Sequence, residues 1–579
     1  MRYAIGCALL GLLFWGAGNL SNAPSVAIST RHAASPDDYP AVTSARLSGA
    51  ANDDGWLMYR RSYDSRGFAP FSAITASNVR TLQTAFTYDT GFPQGHEAPP
   101  IVNGRTMFIT TPLDNVIALD ATTGRRLWIF KPSLDVRALR AICCDVVNRG
   151  VGLYGDLVYV GTIDNRLIAL DARSGRVVWQ RTVVPLSGDH AITGAPLVAD
   201  GRIITGAAGG EFGARGLIAA FDARTGAPLW RRWTVPSPRE PGGDTWLPGS
   251  YLRGGGDTWV TGSYDPQTRT LFWGTGNPSP WFGGLRPGKN LYTDSLIALD
   301  VATGNIKWYY QYTPHDSWDY DGVNELVLVE LERGGKRVPA IVHADRNGYF
   351  FALDRRNGKF LYARAFVKTN TILRYTAAGN AVLNPAAYPS IGKTVLTCPS
   401  SAGGKNWYPI AYSPQTSLAY VPTLHLCADV TGTGNVHERF GYYGEISRTI
   451  AEPGAKGFGE LNALDARTGR KAWSIPSAYP WTGGVVATGG GLVFSGNASG
   501  AFCAFDARNG TMLWKTTLSS GVVGVPVTYR VDGKQYVAVY AGYGGGLAMF
   551  GGPAAALTEH IPRGGRLYVF ALPAAAEAH

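Results

Sequence analysis

A short motif returns seven times along this chain: an apolar residue, any residue, then Ala-(Leu/Phe)-Asp-x-x-(Thr/Ser/Asn)-Gly, then three residues and an aromatic. The copies run 118–128, 169–179, 220–230, 298–308, 352–362, 463–473 and 504–514; all end in Trp except the fifth, which ends in Tyr362. Each reads as a strand, a tight turn and a second strand. Glycine supplies the positive φ that the turn needs, and the Asp side chain can bond the turn's own amides. Tyr362, lacking the indole, is expected to make a looser contact with its neighbour. Successive copies start 51, 51, 78, 54, 111 and 41 residues apart. The gap of 78 is one period with an insertion, 236–257, and the gap of 111 is two periods, so a degenerate copy is expected near 418–426. Self-similarity at such a period marks a ring or array of like units. The chain therefore reads as all-β: an eight-bladed β-propeller with tryptophan-docking repeats, closed by pairing N-terminal strands with a final strand at 566–571.

The ends of the chain set the expected domain limits. Residues 1–27 carry one charge, Arg2, and an apolar run, 4–15, too short to cross a bilayer, before the small residues Ser25-Val26-Ala27. That is the pattern of a secretory signal peptide. An N-terminal extension, 28–50, the propeller, 51–573, and a tail, 574–579, would follow. No other stretch is long and apolar enough to span a membrane, so an exported protein is expected. With only 16% charged residues and 45% hydrophobic ones, the chain is not of the disordered class. Without the signal, 52 Lys and Arg stand against 42 Asp and Glu, a formal +10. Such charge suits docking to an acidic partner, yet no Lys/Arg run of the nucleic-acid kind is present. In an oxidising compartment Cys398 and Cys427, 29 residues apart, make a reasonable disulfide, and Cys503 is left over as a small buried hydrophobe. No Cys-x-x-Cys-His occurs, so the chain carries no c-type haem of its own.

Residues that break the repeat are where function is to be sought, because loops of different sheets converge at one end of such a fold. Cys143 and Cys144 are adjacent in Cys-Cys-Asp-Val-Val-Asn-Arg-Gly. Neighbouring Cα atoms lie about 3.8 Å apart, short of the usual disulfide range, so a bridge between them would be strained. They are either two buried thiols or a flat, rigid wall against a planar ligand. Oxygen donors form a second set: Glu211, Asn277, and the pair Asp319 and Asp321. In an extended segment the last two would point the same way and repel unless a cation sits between them. Oxygen ligation suits a hard cation such as Ca²⁺ rather than zinc.

The motifs Cys143-Cys144-Asp-x-Val-Asn-Arg149-Gly, Gly-His-Glu97, Glu211-Phe-Gly-x-Arg-Gly, Gly276-Asn277-Pro278, Trp318-Asp319-Tyr320-Asp321-Gly and Asp345-Arg346-Asn347-Gly348 together give a resemblance over 56–573. The chain resembles the type I quinoprotein alcohol dehydrogenases, periplasmic enzymes that use pyrroloquinoline quinone (PQQ), and within them the lanthanide-dependent subgroup. The resemblance implies a vicinal disulfide, Cys143–Cys144, over one face of PQQ and Trp259 stacked on the other. Glu97, Arg149 and Thr193 would hold the cofactor's periphery, where an Arg fork suits its carboxylates. Arg346 would stand near the reactive carbonyl and Trp481 would wall the pocket.

Glu211, Asn277, Asp319 and Asp321 would ligate the metal. Asp319 would accept the hydroxyl proton of a small alcohol while hydride passes to the quinone, which the metal polarises. Calcium members of the family usually carry a small uncharged residue where Asp321 stands, whereas lanthanide members carry Asp. A further carboxylate favours a trivalent ion, with Ca²⁺ the alternative. Electrons would leave to a soluble cytochrome c, and a homodimer is compatible with the sequence. Ala208, Val260, Thr261 and Leu424 depart from residues common in relatives, which bears on the substrate pocket. His96, His315 and His425 are expected in structural hydrogen bonds. Oxidation of a sugar, polyol or aldehyde, and a non-catalytic propeller scaffold, are the competing readings.

Overall fold

A computed structural model describes residues 39–436 and 441–573. The expected signal peptide, 1–27, residues 28–38 of the extension and the 574–579 tail lie outside the described residues. The rest of the extension packs into the core: Tyr39, Val42 and Leu47 are buried, and Val42 bridges to Gly155.

Strands dominate the described residues. Seven antiparallel four-strand meanders lie at 101–130, 152–182, 197–233, 263–311, 327–365, 411–477 and 485–517. An eighth sheet is built from Val527–Val531, Lys534–Ala541, Arg566–Ala571 and Gln83–Asp89. Its Gln83–Asp89 strand runs antiparallel to Arg566–Ala571, the expected pairing between the two ends of the chain. The seventh sheet gains Phe68–Ala69 as a fifth strand, parallel to Val485–Thr488.

Each motif copy forms the third and fourth strands of one of the first seven sheets. The expected degenerate copy is a misreading. Leu418–Leu424 pairs directly with Gly459–Asp465, the strand of the sixth copy, and so belongs to the same sheet. The long gap is filled by a hairpin, Ile372–Tyr375 with Ala381–Leu383, and by a three-stranded sheet of Thr394–Thr397, Leu426–Gly432 and Glu445–Ala451. Inserted β-structure of about one period mimics a repeat by length alone.

The motif's two ends meet between neighbouring sheets. Trp128 lies over the turn glycine of the next copy, Gly175, where a Cβ would come within 2.6 Å of the ring, and its indole donates to Ala172 at 3.0 Å. Trp230 covers Gly304 and donates to Val301 at 3.0 Å, while Trp473 covers Gly510 and donates to Ala507 at 3.3 Å. Each of these glycines has positive φ, so the turn and the bare surface are both reasons for glycine. Tyr362 is no looser: its hydroxyl donates to Ala466 at 2.5 Å and its ring covers Gly469. Phe86, on the strand that completes the eighth sheet, covers Gly124 of the first copy.

In an antiparallel meander, the start of the first strand and the loop between the second and third lie at the same end. Glu97, Thr193, Trp259, Trp407 and Trp481 each stand four residues before a first strand. Glu211, Asn277 and Arg346 each follow a second strand. The topology therefore delivers these side chains to a common end of the sheets.

Candidate active site

A cavity of about 370 Å³ lies at that end, in the range that small ligands occupy. Its lining includes Glu97, Cys143, Cys144, Arg149, Thr193, Glu211, Trp259, Asp319 and Arg346. Cys143 and Cys144 are joined by a disulfide, as are Cys398 and Cys427, and Cys503 is free and buried. The loop bearing the vicinal pair is held by Asp145, whose carboxylate accepts the amide of Gly95 at 3.0 Å.

Arg149 organises one side. Its guanidinium pairs with Glu97 at 2.7 Å, donates to Thr193 Oγ1 at 2.9 Å, and lies 4.6 Å from the ring centre of Trp259 and 4.9 Å from that of Trp407. Arg346 organises the other, reaching Asp319 at 2.9 Å and Asp321 at 3.0 Å. Asp321 also accepts the Trp259 indole N–H at 3.0 Å and the Asn277 amide at 2.6 Å, which ties the acidic nest to the aromatic wall.

Asp319 is not in an extended segment, as the sequence suggested. It has φ of +63°, and the Asp316 carboxylate causes the bend by accepting the amides of Trp318, Asp319 and Tyr320. The pair Asp319 and Asp321 nevertheless shares one cation, the Arg346 guanidinium. Asn277 and Asp321 are buried just behind the lining. Trp481 lies outside the lining altogether. Its indole donates to Ser495 at 2.8 Å and its ring packs 6.1 Å from Phe505, so it belongs to the core beneath.

Burial governs the protonation of these acids. It pushes the Glu97 carboxyl up to about 7 although Arg149 pulls the other way. Burial, reinforced by Asp321, pushes Glu211 up to about 7. Asp257 and Asp319 are raised well above the carboxylate range by burial, with Asp321 adding to it at Asp257 and Arg346 opposing it at Asp319. Burial alone would weaken the charge on Arg346, but Asp321 and Asp319 outweigh it and hold the guanidinium charged.

Four carboxylates, Glu211, Asp257, Asp319 and Asp321, thus stand around one guanidinium. The buried oxygens Asn277 Oδ1, Asp257 Oδ1 and Asp319 Oδ1 have no hydrogen-bond partner. Among the described residues no three His, Cys, Asp or Glu side chains already stand at ligand spacing. The donors nevertheless fit a hard cation: excess negative charge and unpartnered oxygens are what such an ion satisfies. The planar walls and the Arg149 fork fit a flat, carboxylate-bearing cofactor.

Sequence reasoning missed Asp257 and Trp407. Asp257 sits two residues before Trp259, and Trp407 occupies the same place before its sheet as Trp259 does. That shared offset is the signal that could have found Trp407. Ala208 is part of the lining, Thr261 donates to Ala195, and Val260 and Leu424 are buried. His96 bonds Thr90 and Gln94, His315 bonds Gly283, and His425 pairs with Glu452, all structural roles as expected.

Fold and site together define a repeat-built β-protein with a deep, acid-lined cavity at the shared end of its sheets, the architecture of a cofactor-holding enzyme. Residues 56–382 and 454–537 match the family described as PQQ: glucose/ethanol/alcohol dehydrogenase, β-propeller domain. The chain belongs to this PQQ β-propeller family. It is 39% identical over 533 residues to quinoprotein alcohol dehydrogenase PedH of Pseudomonas putida, covering 87% of this chain and 89% of that protein. A quinoprotein ethanol dehydrogenase of Pseudomonas putida is 37% identical, with 90% and 91% covered. The solved structure of a europium-containing methanol dehydrogenase superposes with a TM-score of 0.88 at 35% identity, covering 91% of this chain and all of that one.

Proposed function

We propose that this chain oxidises primary alcohols to aldehydes with PQQ and a bound lanthanide ion, and passes the electrons to a soluble cytochrome c in the periplasm. The observation that carries the reading is the cavity itself, where a vicinal disulfide, an indole, an Arg fork and four carboxylates share one lining or its immediate backing. The eight sheets and their Trp-over-glycine contacts support reading residues 51–573 as one eight-bladed ring. The names of the relatives support alcohol as the substrate class. Export is supported by two disulfides, and no helix among the described residues is long and apolar enough to cross a membrane.

In this reading Glu97, Arg149 and Thr193 bind the cofactor, and Cys143–Cys144 and Trp259 flank it. Glu211, Asn277, Asp319 and Asp321 hold the ion. Bound PQQ supplies a two-electron acceptor, made more electrophilic by the adjacent cation. Asp319 then does the proton chemistry: its carboxyl, which burial raises despite Arg346, would be ionised once the proposed cation adds its charge to that of Arg346, and would take the proton of the alcohol hydroxyl. Arg346 orients that carboxylate through its Oδ2 and leaves Oδ1 open.

Purified protein loaded with PQQ and either La³⁺ or Ca²⁺, and followed by dye reduction with ethanol, tests the reading. Turnover is expected with both, faster with La³⁺. Failure of every alcohol under either ion would overturn it, and preference for a sugar, polyol or aldehyde in a substrate panel would move it to the competing substrate class.

A further inference from the structure

Asp257 is a buried carboxylate that the donor set read from the sequence does not use. It lies on the lining of the cavity, 1% exposed, on the segment that ends in Trp259. Its Oδ2 accepts the amides of Gly209 and Gly210, each at 3.1 Å, and those amides open the turn that carries Glu211. Asp257 and Glu211 are therefore locked in register with each other. These two hydrogen bonds account for Oδ2 only.

Oδ1 has no partner, although it is buried. No Lys or Arg side chain pairs with Asp257 among the described residues, since Arg346 is engaged with Asp319 and Asp321. A buried oxygen without a partner in such a place is costly unless something meets it. Its surroundings point to what that is. A Cβ on Gly276 would collide with Asp257 Oδ1 and come within 2.8 Å of Asp321 Oδ1. A Cβ on Gly210 would come within 2.8 Å of Asn277 Oδ1 and 3.3 Å of Asp257 Oδ2. The oxygens of Asp257, Asp321 and Asn277 thus gather round the same two glycines, whose missing side chains leave room beside them.

We infer that Asp257 supplies a further carboxylate oxygen to the cation site, beside Glu211, Asn277, Asp319 and Asp321, and so strengthens its preference for a trivalent over a divalent ion. The inference rests on the reading of this nest as a cation site. An added unit of negative charge attracts an ion in proportion to that ion's charge, so its loss costs La³⁺ or Tb³⁺ more than Ca²⁺.

The test is a terbium luminescence titration of the PQQ-loaded protein, with Ca²⁺ as competitor, on the unaltered chain and on Asp257→Asn. Asparagine keeps an acceptor for the Gly209 and Gly210 amides while removing the charge. Affinity for Tb³⁺ is expected to fall at least about tenfold, that for Ca²⁺ to fall less, and decay rates in H₂O and D₂O to report an additional bound water on Tb³⁺. Unchanged affinity, or weaker binding with no added water, would overturn the inference; the latter would make Asp257 a positioning residue for Glu211. If the variant does not fold, the europium excitation line of the unaltered protein, which moves with the total charge of the ligands, decides between four coordinated carboxylates and three. Absence of any lanthanide binding to the unaltered chain would instead bring down the cation reading, and this inference with it.

Discussion

Asp319→Asn is expected to lower kcat for a primary alcohol by about a thousandfold, the scale of losing a positioned general base. The substitution leaves the backbone of the site in place. Position 319 has φ of +63°, which Asn tolerates as well as Asp. The three amides that fix the bend are held by Asp316, not by residue 319, so the turn should persist. Asn can still accept from Arg346 but cannot take a proton from a hydroxyl. Steady-state dye reduction, with PQQ and metal content measured on the same sample, separates lost proton transfer from lost cofactor. A loss below about tenfold with both still bound would mean that Asp319 is not the base.

Asp321→Ala is expected to reduce lanthanide-supported turnover by at least about a hundredfold, with a smaller loss under Ca²⁺. This carboxylate touches three parts of the site at once: the Trp259 indole, the Arg346 guanidinium and the Asn277 amide. Its removal takes a negative charge from the proposed ion and frees the wall and the cation that it tethers. Asp321→Asn can keep an acceptor for the indole and the amide, so it separates charge from tethering. Lanthanide-supported activity that survives Asp321→Ala would break the link between this residue and a trivalent ion.

The parts of the fold that were legible in the sequence are those written in a local code. The Asp-to-Gly turn and the aromatic at its end specify a hairpin by themselves, and all seven copies are found as hairpins. Counting the units was less secure because period length is not structure: the extra strands at 372–383, 394–397, 426–432 and 445–451 lengthen one unit by about a period without carrying its code. The pairing of the two chain ends could be inferred because a closed ring leaves no strand edge unpaired. At the site, motif residues come together as expected, apart from Trp481. A tryptophan before a first strand can face the cavity, as Trp407 does, or the core beneath, as Trp481 does, and spacing alone does not distinguish them. The bend at Asp319 depends on Asp316, three residues earlier, gathering three amides, a contact with no periodic signature. Asp257 was passed over because a lone Asp beside glycines reads as a turn cap, a role its Oδ2 does fulfil.

One flat redox cofactor and one hard cation are proposed to share the cavity between the vicinal disulfide and the indole. The most direct test of this arrangement is the composition of holoenzyme purified from cells supplied with both calcium and a lanthanide, with PQQ quantified after acid release and metals by mass spectrometry. One PQQ and one lanthanide ion for each chain are expected. Folded protein from cells that make PQQ and are supplied with both ions, yet holding neither PQQ nor a stoichiometric hard cation, would contradict it.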